Sequence, residues 1–461
     1  MIKKRYHQHW VFQSPEAILT CSILKCADNS YLTFGGHDKT LYLMSQDLMI
    51  LDDINFDGWV RCTSPIDIDG DNCDELLVGT GDGRFLVLKL DKEKEKLVGI
   101  MNYKSDGKVI CCAAGDFYRD GNIELIFGGE DKTIKIFKSL LSKEPVVTLY
   151  YDSWVTSCTL GFLKVPISTI PIYGLLVGTK NGTLQLIQIK NDQPDIIWQQ
   201  NVYSQINDIK VGDVTNNGYN EIVVAADDSY IKIYNSEGKR LSFIKITKEQ
   251  TKSKKKRGLK TLNRAKSLLL EDIDGDNSNE IIAGCADGSL RVFHNIKLDS
   301  NKYQLKWKAK FSSSIKAIGS FLDNESNLKH LIVGGYERSI RNITDFEWGK
   351  KTSLKIPQRL RIPKIPIKKS LEKIKVVPTN LRDHIISLLE KKGFILILDL
   401  LIEKLMKKGY LREEIEEEIE SMKTEKTMQF GKVDVHAWSL ANEEIADVIK
   451  KEIDNMDIEK K

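Results

Sequence analysis

The strongest constraint in this chain is a unit that returns seven times. LLVGTGDGRFLVL (76–88) reappears as LIFGGEDKTIKIF (125–137), LLVGTKNGTLQLI (175–187), IVVAADDSYIKIY (222–234) and IIAGCADGSLRVF (281–293). Two weaker copies flank these, LTFGGHDKTLYL (32–43) and LIVGGYERSIRN (331–342). Equivalent small residues fall at Gly35, Gly79, Gly128, Gly178, Ala225, Gly284 and Gly334, at spacings of 44, 49, 50, 47, 59 and 50. A period of this size marks a repeat architecture.

Each copy is an apolar run, a tight turn and an alternating run, the pattern of two strands joined by a hairpin. A third apolar segment precedes each pair, such as 60–68, 108–114 or 206–211, and a fourth trails it, often with an aromatic residue, as in IWQQ (197–200). Four short strands in roughly 50 residues predict one blade of a β-propeller. A single blade cannot cover both of its faces, so neighbours must supply its core. The fold class expected is mainly β, a seven-bladed propeller over residues 1–345 with a small α+β domain after it. HWVFQSPEAI (9–18) aligns with KWKAKFSSSI (306–315), a fourth strand running into the next first strand. The segment around Trp10 is therefore expected to complete the seventh blade and close the ring.

Two turns ahead of the second strand are rich in acid. Blade 2 carries Asp67, Asp69, Asp71 and Glu75, and blade 6 carries Asp272, Asp274, Asp276 and Glu280. Carboxylates at positions 1, 3, 5 and 9 of a tight loop can surround a hard cation with oxygen, the coordination calcium prefers. The alternative is an Asp/Asn/Gly turn that caps the blade without metal. Blades 3 and 5 keep part of the set, with Asp116, Asp120 and Glu124, and with Asp213, Asn217 and Glu221.

D-x-D-G-D-x-x-x-E followed by L-L-V-G-T-x-D-G resembles the FG-GAP repeats of integrin-α-type propellers. It is more similar still to cytosolic FG-GAP-like propellers that serve as subunits of large assemblies, such as the Bardet-Biedl and KICSTOR complexes. The resemblance covers roughly residues 1–345. It implies a non-enzymatic binding scaffold, and it implies calcium ligands at the eight acidic positions above, with Glu where the family usually has Asp at the ninth.

From 379 the apolar period changes to about 3.6. Leu381 to Leu389, Leu398 to Leu405 and Leu411 to Met422 predict three helices, and residues 427–440 a β-hairpin turning at Gly431. Helices and hairpin in this order resemble a winged helix over 379–440, followed by an amphipathic helix in 441–461. The third helix has six glutamates and one arginine between Arg412 and Glu420, a face that phosphates repel. Protein docking is expected of this domain.

Two basic stretches leave a nucleic-acid reading open. Residues 248–266 hold nine Lys/Arg against one Glu, including Lys254, Lys255, Lys256 and Arg257. The proline-containing linker 346–378 holds Lys364, Lys368 and Lys369. Both can contact phosphates, although neither interleaves aromatic residues for base stacking. Solvated loop and linker is the plainer reading of each.

The remaining features narrow the class. No apolar run reaches the roughly 20 residues that span a bilayer, and the basic start MIKKRYHQHW has no apolar core behind it. A cytoplasmic location is expected, with the eight cysteines as buried free thiols. No nucleophile elbow, phosphate loop or Cys/His metal box is present, so neither an enzyme nor a bound cofactor other than calcium is expected.

Overall fold

The computed structural model describes residues 6–345, apart from 28, 47, 165–170, 191–192, 247–262, 296–301 and 324–327, together with three short strands after residue 394. The first stretch forms seven four-stranded antiparallel sheets, and each is one of the expected blades. In blade 2 the strands run Val60–Ile66, Glu75–Thr80, Arg84–Asp91 and Lys96–Lys104, from the axis outward. Their innermost strands pack on one another around the axis, and Ile18–Cys26 of blade 1 meets Ile315–Asp323 of blade 7.

The second strands explain why the repeat is so apolar. Glu75–Thr80, Glu124–Gly129, Glu221–Ala226 and Glu280–Cys285 are buried at every residue, because a blade on either side covers both faces. Side chains on alternate sides of these strands therefore enter two different cores. The outermost strands, covered less, are made mostly of exposed and half-buried positions. Every junction between consecutive blades among the described residues carries its own apolar cluster. The last joins Ile332 and Ile340 of blade 7 to Ile18, Phe34 and Met44 of blade 1.

The small residue of each repeat sits at such a junction. A Cβ on Gly79 would lie 2.5 Å from Val109, on Gly128 2.7 Å from Val155, on Gly178 2.6 Å from Ile206 and on Gly284 2.6 Å from Ile315. In each case the neighbour opens the next blade's innermost strand. Blade 5 has Ala225 at this position, and blade 6 then opens with Ala265 in the same cluster. The added methyl is matched by a smaller neighbour.

Ring closure follows the expectation. Tyr6–Gln13 pairs antiparallel with Ser339–Asp345 as the outer strand of blade 7. Tyr6 stacks on the fully buried Trp307 at 5.6 Å between ring centroids, and the Trp307 indole donates a hydrogen bond to Asp345. His9 Nε2 lies 2.9 Å from Thr344 Oγ1.

One expectation about cysteine is corrected. Cys26 and Cys73 form a disulfide, and the other six cysteines are free. The reason is the junction of blades 1 and 2. Ala27 N–H donates to the Asn72 carbonyl at 2.8 Å and Asp74 N–H to the Lys25 carbonyl at 2.7 Å. These bonds carry the acidic loop of blade 2 onto the end of blade 1's innermost strand.

The second unit is described only as a three-stranded antiparallel sheet of Ile395–Ile397, His436–Leu440 and Met428–Lys432. Gly431 pairs with Ala437 inside this ladder, so the hairpin turns after Lys432 and not at Gly431. The expected helices lie outside the described residues. No helix among the described residues is long and apolar enough to cross a membrane.

Candidate functional site

The structure brings the acidic side chains of both loops together. Carboxylate oxygens of Asp67, Asp69 and Asp71 lie within 4.8 Å of one another, as do those of Asp272, Asp274 and Asp276. The donor set suits a hard cation, but each loop already holds an ammonium group. Lys89, from the third strand of blade 2, contacts Asp69, lies 3.0 Å from Asp71 and 3.1 Å from Glu75. Lys306, from the fourth strand of blade 6, contacts Asp274 and lies 3.3 Å from Glu280. Asp69, with Asp71 and Glu75, raises the Lys89 pKa against the effect of burial. A charge of the chain itself occupies the cup.

The aspartates also order the loop backbone. Asp67 accepts from Gly70 N–H at 2.8 Å and Asn72 N–H at 3.0 Å, and Asp272 does the same with Gly275 and Asn277, both at 2.8 Å. Asp71 and Asp276 accept from Cys73 and Ser278, at 2.8 and 2.9 Å. These are the Asx turns that such residues form without any ion.

The ninth position has a role of its own. Glu75, Glu124, Glu221 and Glu280 are all buried. Each accepts from the backbone N–H seven residues earlier, from Ile68, Phe117, Val214 and Ile273, at 2.7 to 3.1 Å. The same bond survives in blades 3 and 5, where the acidic set has decayed. Spanning the loop to that N–H takes the extra methylene of Glu, which accounts for its presence where the family pattern has Asp. Burial pushes Glu280 up to about 9, and the charges of Asp276, Asp272 and Asp345 add to it. The Lys306 ammonium lies against both this carboxyl and that of Asp274.

A second site was not visible in the repeats. Every innermost strand carries a one-residue bulge at its second position, at Leu19, Arg61, Ile110, Thr156, Asn207, Lys266 and Lys316. A bulge re-aims the extra side chain, and all seven line one cavity of about 320 Å³ around the axis. Three of them are cationic. The nearest rim is aromatic, with His37 stacked on Trp59 at 4.1 Å and edge-on to Tyr336 at 5.4 Å. Only the bulge register, invisible in one sequence, gathers these positions.

The outer rim is the third feature. Outermost strands of blades 1 to 5 expose Ile50, Val98 and Ile100, Tyr150, Ile196 and Phe243, with Tyr150 82% and Ile196 56% accessible. The corresponding strands of blades 6 and 7 expose no large apolar side chain among the described residues. Lys254, Lys255, Lys256, Arg257, Lys364, Lys368 and Lys369 lie outside the described residues.

No curated protein matches the chain. Residues 190–334 match the family model described as Itfg2, Integrin-alpha FG-GAP repeat-containing protein 2. That stretch runs from the end of the third strand of blade 4 into the second strand of blade 7. With seven blades in phase around one axis, the chain carries a β-propeller that is similar over residues 190–334 to this FG-GAP repeat family.

Proposed function

We propose that the protein is a non-enzymatic scaffold, a subunit of a multiprotein complex that docks partners on its propeller. The observation that carries this reading is the one-sided rim. Among the described residues, five consecutive blades expose apolar side chains on outermost strands whose outer edges have no pairing partner, while the outermost strands of the two blades that close the ring expose none. Apolar side chains clustered along such an arc mark an interaction surface, and open strand edges add backbone donors and acceptors to it. The C-terminal domain supplies a second docking surface in this reading.

The test is the mass of the native assembly. The full chain, purified under mild conditions from its own cells, should run in a stoichiometric complex by native mass spectrometry. Val98→Asp combined with Ile196→Asp should release it as a folded, lone chain. A wild-type chain that runs alone, or a variant that keeps its partners, defeats the reading. Salt-sensitive DNA binding lost on neutralising Lys364, Lys368 and Lys369 would instead favour a nucleic-acid-associated factor.

A further inference from the structure

The cavity on the propeller axis holds more positive charge than the surrounding carboxylates balance. Lys266 is 2.6 Å from Asp227, which also accepts from Asn207 at 2.7 Å. Lys210 is 3.6 Å from Asp208. Arg61 and Lys316 lie on the bulges of blades 2 and 7, and neither forms an ion pair or hydrogen bond among the described residues. The buried Arg61 Nε has no acceptor at all among them.

An unpaired guanidinium and an unpaired ammonium in one half-buried cavity are costly unless something negative joins them. Burial, with the cations of Lys266 and Arg61, brings Lys316 down to about 8, against the opposing pull of the Asp208 and Asp227 carboxylates. The cavity is thus strained electrostatically in one direction, and an anion relieves it.

The charge to be met sets the ligand class. A carboxylate neutralises one cation, whereas a phosphate monoester carries roughly −1.5 to −2 at neutral pH and three acceptor oxygens. Two oxygens suit the fork of Arg61, and the third is left for the Lys316 ammonium. The cavity, about 320 Å³, is far larger than a phosphate group, and the His37–Trp59 stack provides a shelf for an esterified body. We propose that the axial cavity binds the phosphate of a phosphate monoester between Arg61 and Lys316.

The experiment is calorimetric titration of the full chain with inorganic phosphate and with phosphoserine, at constant ionic strength against chloride. Both ligands should bind, phosphoserine the more tightly. Lys316→Gln and Arg61→Gln should each weaken binding roughly tenfold, the loss expected for one charge-assisted contact. Lys104→Gln, on the outer strand of blade 2, should leave it unchanged. Lys316→Gln removes a crowded cation, so its Tm without phosphate should not fall, and lost binding cannot then be ascribed to unfolding. Phosphate binding no stronger than chloride overturns the proposal, as does binding untouched in both variants. Phosphoserine binding more weakly than inorganic phosphate overturns the esterified body.

Discussion

Lys89 sets its ammonium 3.1 Å from the fully buried carboxyl of Glu75, in the cup where FG-GAP loops are expected to hold an ion. Removing it with Lys89→Met leaves the acids of blade 2 uncompensated. The expected loss is about 2 kcal/mol, less than a fully buried pair costs because Lys89 is partly exposed. The same variant should become calcium-responsive: its Tm should rise with millimolar calcium over chelator, while the wild type stays flat. A wild-type Tm that rises, and stops rising in Asp69→Ala with Asp274→Ala, would show that calcium displaces the lysines.

Glu280 gives stability a pH dependence of definite sign. Its value in the folded chain, about 9, lies above the ordinary 4.5. Between these values the native state holds a proton that the unfolded chain releases, so stability falls as pH rises across that window. Glu280→Gln keeps an oxygen for Ile273 N–H and cannot ionise. Its urea midpoint should therefore decline less than that of the wild type between about pH 5 and 9. Equal slopes would show that Glu280 is ionised throughout.

Gly128 and Val155 should behave as a coupled pair across the junction of blades 3 and 4. Gly128→Ala drives a methyl to 2.7 Å from Val155 and should cost roughly 1–3 kcal/mol. Adding Val155→Ala should cost less than it does alone, as the natural pairing of Ala225 with Ala265 implies. Denaturant midpoints of the four proteins in a double-mutant cycle decide this.

Trp307 should govern the closure of blade 7. Trp307→Ala empties a fully buried site, leaves Asp345 without the indole donor and removes the face on which Tyr6 stacks. A loss of about 3–5 kcal/mol is expected. Amide exchange should quicken first in Tyr6–Gln13 and its partner Ser339–Asp345, with the innermost strands of blades 2 to 5 still protected.

The blades were legible because their chemistry is local and repeated. Each apolar run followed by a turn and a Thr-Ile-Lys-Ile type alternation specifies two strands, and the Trp10/Trp307 alignment specified the closure. The turn itself is robust: the residue before the third strand has positive φ in all seven blades, although it is glycine only at Gly83, Gly182 and Gly288. What escaped sequence reading depends on contacts between blades or on register. Cys26 and Cys73 meet only because one blade's loop lies on the end of its neighbour. Lys89 and Lys306 look like ordinary polar positions of alternating strands until the loops fold over them. Arg61 and Lys316 line one cavity because each innermost strand slips by one residue, and a single sequence does not record that slip.

The strand Tyr6–Gln13 has a consequence for how the chain is made. On the ribosome it emerges ahead of every blade, yet its partner Ser339–Asp345 is among the last parts of the propeller to be translated. Blades 1 to 6 can assemble in order behind it, while that strand waits with its ladder unpaired. Whatever shields that waiting strand, or delays the arrival of Ser339–Asp345, sets the time during which the unfinished protein is open to mispairing.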